Sequence, residues 1–231
     1  MDKKLITVKI FSILIYIYLE VDERSSKMFD VYKPCPCNSG KKLKFCCHKT
    51  SDLIKFPVHE CFVGKNWQSE GIGNVIVVRK AFDGSFVAGI FLVDVWFLGV
   101  KDAFIKKNLN DGDLRCLCNQ IASASDGITK ISYEDARSIV LGGLEYAAKF
   151  GIQPHRDWSN SNNIIEPNKP FENKFTFGRD GKPFYMAGPY DKDVSASYIK
   201  KITAVGGHYV APADYILDDD DLDVMENILI K

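Results

Sequence analysis

Four cysteines crowded into thirteen residues, Cys35, Cys37, Cys46 and Cys47, constrain this chain more than any other feature of its sequence. Adjacent cysteines such as Cys46 and Cys47 pair with each other only under strain, so the cluster is poor material for disulfides. A tetrahedral zinc ion suits it far better, because zinc takes four donors, about 2.3 Å away when they are sulfur, and imposes no electronic geometry of its own. The spacing is Cys-x-Cys, eight residues, then Cys-Cys followed by His48. Between the ligand pairs, Asn38-Ser39-Gly40 supplies residues able to turn tightly beneath a metal, where backbone N–H groups can bond thiolate sulfur. Pro34 and Pro36 stiffen the first pair.

The chain has seven cysteines, an odd number, and its 46% hydrophobic residues are enough to bury a core without cross-links. The thiols therefore read as reduced and metal-holding, which places the protein in the cytoplasm. Cys61, Cys116 and Cys118 lie outside the cluster and read as small core residues. Formal net charge is +0, which argues against a protein that coats nucleic acid. The balance is uneven: residues 28–50 hold five lysines against Asp30 alone, whereas residues 51–231 hold 20 basic and 25 acidic side chains. A small basic module thus leads a mildly acidic body.

The segment from Pro34 to His48, Pro-Cys-Pro-Cys-Asn-Ser-Gly-Lys-Lys-Leu-Lys-Phe-Cys-Cys-His, closely resembles the SEC-C motif, the zinc-binding tail of the preprotein-translocase motor SecA and of many uncharacterised proteins. It departs at Asn38, where the family usually has Gly, and Asn tolerates the left-handed backbone that such a position requires. The resemblance implies zinc as cofactor, with Cys35, Cys37, Cys46 and Cys47 as ligands and His48 as the alternative fourth. It also implies an interaction module that docks on a protein, ribosome or RNA partner. Charge agrees with that: a four-cysteine zinc site carries about −2, so the module stays net basic, and Lys41, Lys42 and Lys44 between the ligand pairs are the candidate partner-binding residues. The other reading is a zinc-folded cap packed on the body.

Residues 1–27 place Lys3, Lys4 and Lys9 before an apolar run at 10–19, which has the length of a signal-peptide core and is too short to span a bilayer as a helix. A mis-assigned start with the chain beginning at Met28, a terminal strand or helix, and membrane targeting all remain open. Residues 57–231 form the body. Strands are expected at 57–63, 74–80 and 86–97, the last two joined by the turn Phe82-Asp83-Gly84-Ser85. The nearly all-apolar third strand should be covered on both faces. A short helix is expected at 102–108, and 111–125 is ambiguous. The clearest helix is 132–150, capped by Ser132 and stopped by Gly151; Gly142-Gly143 in its middle predicts close packing. A loop at 153–170 precedes a half-exposed strand at 171–177 that turns at Asp180-Gly181 and pairs with 182–187. Helices follow at 193–205 and after the acidic run 218–221, and His208 reads as a turn residue. The fold class is α+β: an N-terminal zinc knuckle and a largely antiparallel sheet packed with helices.

Segments 58–62, 90–104, 151–157 and 177–185 look similar to a body that accompanies SEC-C motifs in uncharacterised bacterial proteins, a similarity that implies architecture and no chemistry. Read from its own residues, the body offers Asp94, set in the apolar stretch 90–98, where an unpartnered carboxylate would be costly. Lys101, His155, backbone N–H groups or a second metal could satisfy it. Two readings stand: a polar pocket of Asp94, Lys101, Asp102, His155 and Asp157 serving a hydrolase or nuclease-like enzyme, or one buried salt bridge that fixes the fold. The chain has no P-loop, dinucleotide fingerprint or nucleophile elbow.

Overall fold

The fold is that of a computed structural model, which describes residues 32–35, 40–42, 50–188 and 191–212. The extension 1–27, the ligand candidates Cys37, Cys46, Cys47 and His48, Lys44 and the expected C-terminal helix all lie outside the described residues.

The body is α+β. Five antiparallel strands form one sheet: β1 (Val58–Gly64), β2 (Ile72–Lys80), β3 (Phe86–Asp94), β4 (Gly99–Leu109) and β5 (Ile128–Ile131), in the order β4-β3-β2-β1-β5. The hairpin expected around Asp83-Gly84 forms, with Phe86 opposite Lys80 and Asp94 opposite Ile72. Every residue of β3 is buried, because both faces of the sheet are covered. One face presents Val75, Val77, Phe91, Val93 and Val100 to α3 (Tyr133–Ala148). The other presents Ile76, Val78, Ile90 and Leu92 to α2 (Asp111–Ala124). The short helix α1 (Trp67–Glu70) bridges β1 and β2.

The helix α3 is the one its caps announce: the Ser132 hydroxyl accepts from the Asp135 N–H at 3.0 Å. A Cβ on Gly143 would stand 2.9 Å from Val93 Cγ1, and one on Gly142 2.7 Å from the Phe177 ring. Gly143 therefore lets the helix approach the sheet and Gly142 lets the Phe177 segment lie close on the helix, the close packing that the glycine pair predicts. The ambiguous segment after residue 110 is a helix, α2, held by a reciprocal capping box between Asn110 and Asp113 and buried along Leu114, Leu117, Ile121 and Ala124.

Three expectations are corrected. Residues 102–108 are not a helix but part of β4, an edge strand with two register shifts: Val100 lies opposite Val93 and Asp102 opposite Leu92, a bulge that leaves Lys101 as an extra residue, and a second shift separates Lys106, opposite Ala88, from Leu109, opposite Phe86. The bulge breaks the alternation by which a strand is recognised. Residues 171–177 are no strand either; Phe175 packs edge-on against Trp67, Phe177 stacks on Tyr146, and the Lys174 N–H donates to Ser138 Oγ, so the alternation records an extended segment lying across α3. The partner of β6 (Phe184–Met186) is instead β7 (His208–Val210), in parallel, with His208 at its start and not in a turn. The helix α5 (Lys192–Ala204) connects these two strands.

The long segment after α3 contains α4 (Trp158–Ser161) and a single 3-10 turn, Asn162–Ile165. Two buried arginines hold it. Arg137, fully buried on α3, donates to the carbonyls of Ile165, Glu166, Lys169 and Pro170 and to Glu134 Oε2. Arg79 on β2 donates to the carbonyls of Ile164 and Phe56 and to the Tyr133 hydroxyl, which donates in turn to Glu166 Oε2 at 2.9 Å. Planar guanidinium forks are suited to gathering several carbonyls in this way.

Candidate functional site

The bulge in β4 directs Lys101 and Asp102 into two separate groups of polar side chains. The first group is closed. Asp94 ends β3, and its Oδ1 accepts from the N–H groups of Trp96 at 3.0 Å and Phe97 at 2.9 Å, so it shapes the turn into β4. Gly99 completes that turn at φ 69°, where a Cβ would meet Ala147 and the Gly143 carbonyl at 2.9–3.0 Å. Burial holds the Asp94 carboxyl above the ordinary carboxylate range, against the pull of Lys101 and the backbone N–H groups. Lys101 itself pairs with Asp191 Oδ2 at 3.3 Å. That oxygen also accepts from the Tyr185 hydroxyl at 3.3 Å and from the Gly188 N–H at 2.9 Å, and Tyr185 lies 3.3 Å from the buried Ser195 hydroxyl. These bonds tie α5 and β6 to the end of the sheet. Burial drives the Tyr185 phenol far above its usual value, which leaves it a hydrogen-bonding group and no base.

The second group faces solvent. His155 follows α3, and its position is fixed from two sides: its N–H donates to the Val100 carbonyl on the free edge of β4 at 3.0 Å, and its carbonyl accepts from the Trp158 N–H at 2.9 Å. The Trp158 ring meets Phe91 edge-on at 5.8 Å and anchors α4 to the sheet. Within this frame His155 Nδ1 lies 3.3 Å from Asp157 Oδ2 and 3.8 Å from Asp102 Oδ1. The Asp157 N–H also points at Nδ1, at 3.4 Å. Asp102 is half-buried; burial and the charge of Asp157 push its carboxyl above the ordinary range, while the Ala103 N–H and His155 pull it down. The three side chains offer one nitrogen and two carboxylate oxygens within 4.8 Å of one another, the only such group of metal-ligating side chains among the described residues.

The five body residues singled out from the sequence are thus divided by their contacts: Asp94 and Lys101 belong to the inner group, Asp102, His155 and Asp157 to the outer. Asp191, Tyr185 and Ser195 were missed in the sequence; nothing in their local pattern distinguishes them, since they reach Lys101 through tertiary packing alone. Of the other histidines, His59 tilts against the Phe86 ring, and Glu60 bonds Lys130 at 2.7 Å. Cys61 is a buried core residue whose thiol is raised to about 11, whereas Cys116 is exposed and Cys118 half-buried, against the expectation that all three lie in the core.

In the cysteine-rich segment, Pro34 bridges Lys42 in antiparallel fashion, the Cys35 N–H donates to the Lys41 carbonyl at 2.8 Å, and Gly40 turns at φ 71°. Cys35 is buried in the cluster that contains Leu53 and Phe56, while Lys41 and Lys42 are exposed, the latter over the Tyr32 ring. No helix among the described residues is long and apolar enough to cross a membrane. Comparison of the chain with family models, with curated proteins and with solved structures finds no match to any of them.

Proposed function

We propose that the protein is a zinc-binding interaction protein whose SEC-C-like knuckle docks on an acidic protein surface, a ribosome or RNA. The observation that carries this reading is the Cys35, Cys37, Cys46, Cys47 set with lysines between its pairs. The antiparallel bridge between Pro34 and Lys42 supports it, since Cys35 is buried beside it while Lys41 and Lys42 are exposed. Ammonium groups are costly to bury, so basic side chains between metal ligands are best placed to meet an acidic partner. The test is co-sedimentation with ribosomes and pull-down from lysate, comparing wild type with a variant carrying Lys41→Gln, Lys42→Gln and Lys44→Gln. Recovery should fall without loss of zinc, and should fall with rising salt, because exposed charges are screened within about 8 Å at physiological ionic strength. Equal recovery of every partner would leave the knuckle as a cap on the body.

A second reading, a hydrolase or nuclease-like enzyme, draws on one observation: His155 stands half-exposed between two carboxylates. On that reading the chemistry sits at His155, Asp102 and Asp157, and Asp94 shapes the adjoining turn. Hydrolysis of RNA or of a phosphodiester that persists unchanged in His155→Ala would dismiss it.

A further inference from the structure

We propose that Asp102, His155 and Asp157 form a binding site for a divalent transition-metal ion on the free edge of the sheet, distinct from the cysteine knuckle. The inference rests on the geometry of the body; it is independent of the knuckle reading and deepens the second, which places its chemistry at the same three residues.

Three electron-rich atoms converge there. His155 Nδ1 lies 3.3 Å from Asp157 Oδ2 and 3.8 Å from Asp102 Oδ1, and all three lie within 4.8 Å of one another. Ligand atoms that share one ion at about 2.0–2.2 Å stand roughly 3–4 Å apart, so this spread needs only small side-chain adjustments to close on a metal. The Asp157 N–H stands 3.4 Å from Nδ1, a long contact that a metal bound at that nitrogen would displace. An imidazole and two carboxylates gathered this closely would be stabilised by a shared cation.

The ligands are held by independent supports. Asp102 sits beside the β4 bulge, where the inserted residue Lys101 is engaged by Asp191. His155 is anchored by its N–H to Val100, and Asp157 immediately precedes α4, which packs through Trp158 on Phe91. The side chains of His155 and Asp157 are 38% and 45% exposed, which leaves coordination positions for water or a substrate oxygen. One imidazole with two carboxylates suits Mn²⁺, Fe²⁺ or Zn²⁺ better than Ca²⁺, which prefers six to eight oxygens.

Manganese separates this site from the knuckle, because four thiolates favour softer ions. The full-length, reduced, zinc-loaded protein would be titrated with MnCl₂ while electron paramagnetic resonance follows free Mn²⁺. One saturable Mn²⁺ per chain is expected, displaced by added Zn²⁺ in keeping with the order of metal affinities. His155→Gln and Asp157→Asn should each weaken binding about tenfold or more, as loss of a ligand costs at least what loss of its supporting shell does. Absence of saturable binding, or equal binding by both variants, would overturn the proposal. If either variant loses its circular-dichroism spectrum, the wild-type histidine resonances decide: Mn²⁺ should broaden His155 and spare His59 and His208, and uniform or absent broadening would overturn it.

Discussion

Asp94 illustrates how a buried carboxylate can serve geometry. Its Oδ1 collects the N–H groups of Trp96 and Phe97, and burial keeps its carboxyl above the ordinary range. The folded state therefore binds this proton more tightly than the unfolded chain does. The stability linked to Asp94 is full below the ordinary carboxylate value and declines as pH rises through the folded value. Asp94→Asn keeps an oxygen for both N–H groups and removes the ionised form, so the variant should match or exceed wild type at neutral pH and lose that advantage in acid. Urea denaturation of both proteins across pH measures this; a variant that is markedly less stable at neutral pH would show that the charge itself is needed beside Lys101. Arg137 is the opposite case. It is fully buried and donates to four loop carbonyls and Glu134, and removing one partner of a buried charged network costs about 3–5 kcal/mol. Arg137→Ala should lose that much in chemical denaturation and speed amide exchange across residues 162–171. A loss under about 1 kcal/mol would mean the loop is held by something else. The sequence exposes Asp94, because a charge inside an apolar run is conspicuous, but not Arg79, which ends its apolar run beside Lys80, or Arg137, which stands in a mixed helix; a distant loop folding over them gives both their carbonyl partners.

At the scale of elements, legibility followed the strength of local chemistry. The capped helix α3 and the β2–β3 hairpin are written in cap and turn residues, and both form. Reading α2 as ambiguous missed a signal that was there: Asn110 and Asp113 make a capping box, and Leu114, Leu117, Ile121 and Ala124 keep helical spacing. The edge strand β4 was hidden for a physical reason, since one inserted residue shifts the alternation by one and makes a strand look aperiodic. The same bulge divides the candidate pocket, so the residues of the site were visible as types while their grouping was not. The glycine pair in α3 gives an element-scale test. Alanine at 143 should gain about 1 kcal/mol of helix propensity, yet its Cβ would stand 2.9 Å from Val93 Cγ1, and overpacking costs roughly 1–3 kcal/mol. Gly143→Ala should therefore be destabilising by on the order of 1 kcal/mol in urea denaturation, whereas a stabilised variant would show that helix and sheet are not in close contact there.

The whole molecule joins a cysteine-rich basic segment to an acidic α+β body, and these two parts are legible to different degrees. Short-range ligand spacing is complete in the sequence, so the knuckle can be read without a fold, while the outer cluster needs the sheet edge, the loop and α4 to bring Asp102 within reach of residues more than fifty positions away. Zinc is central to the proposal, in which the thiolate set would fold around its metal and the lysines would owe their display to that fold. The most direct measurement is elemental analysis of freshly reduced wild-type protein beside Cys46→Ser, with the body's integrity followed by circular dichroism. Wild type is expected to hold about one more zinc per chain than the variant while both bodies stay folded; equal zinc content in the two proteins would contradict the knuckle outright.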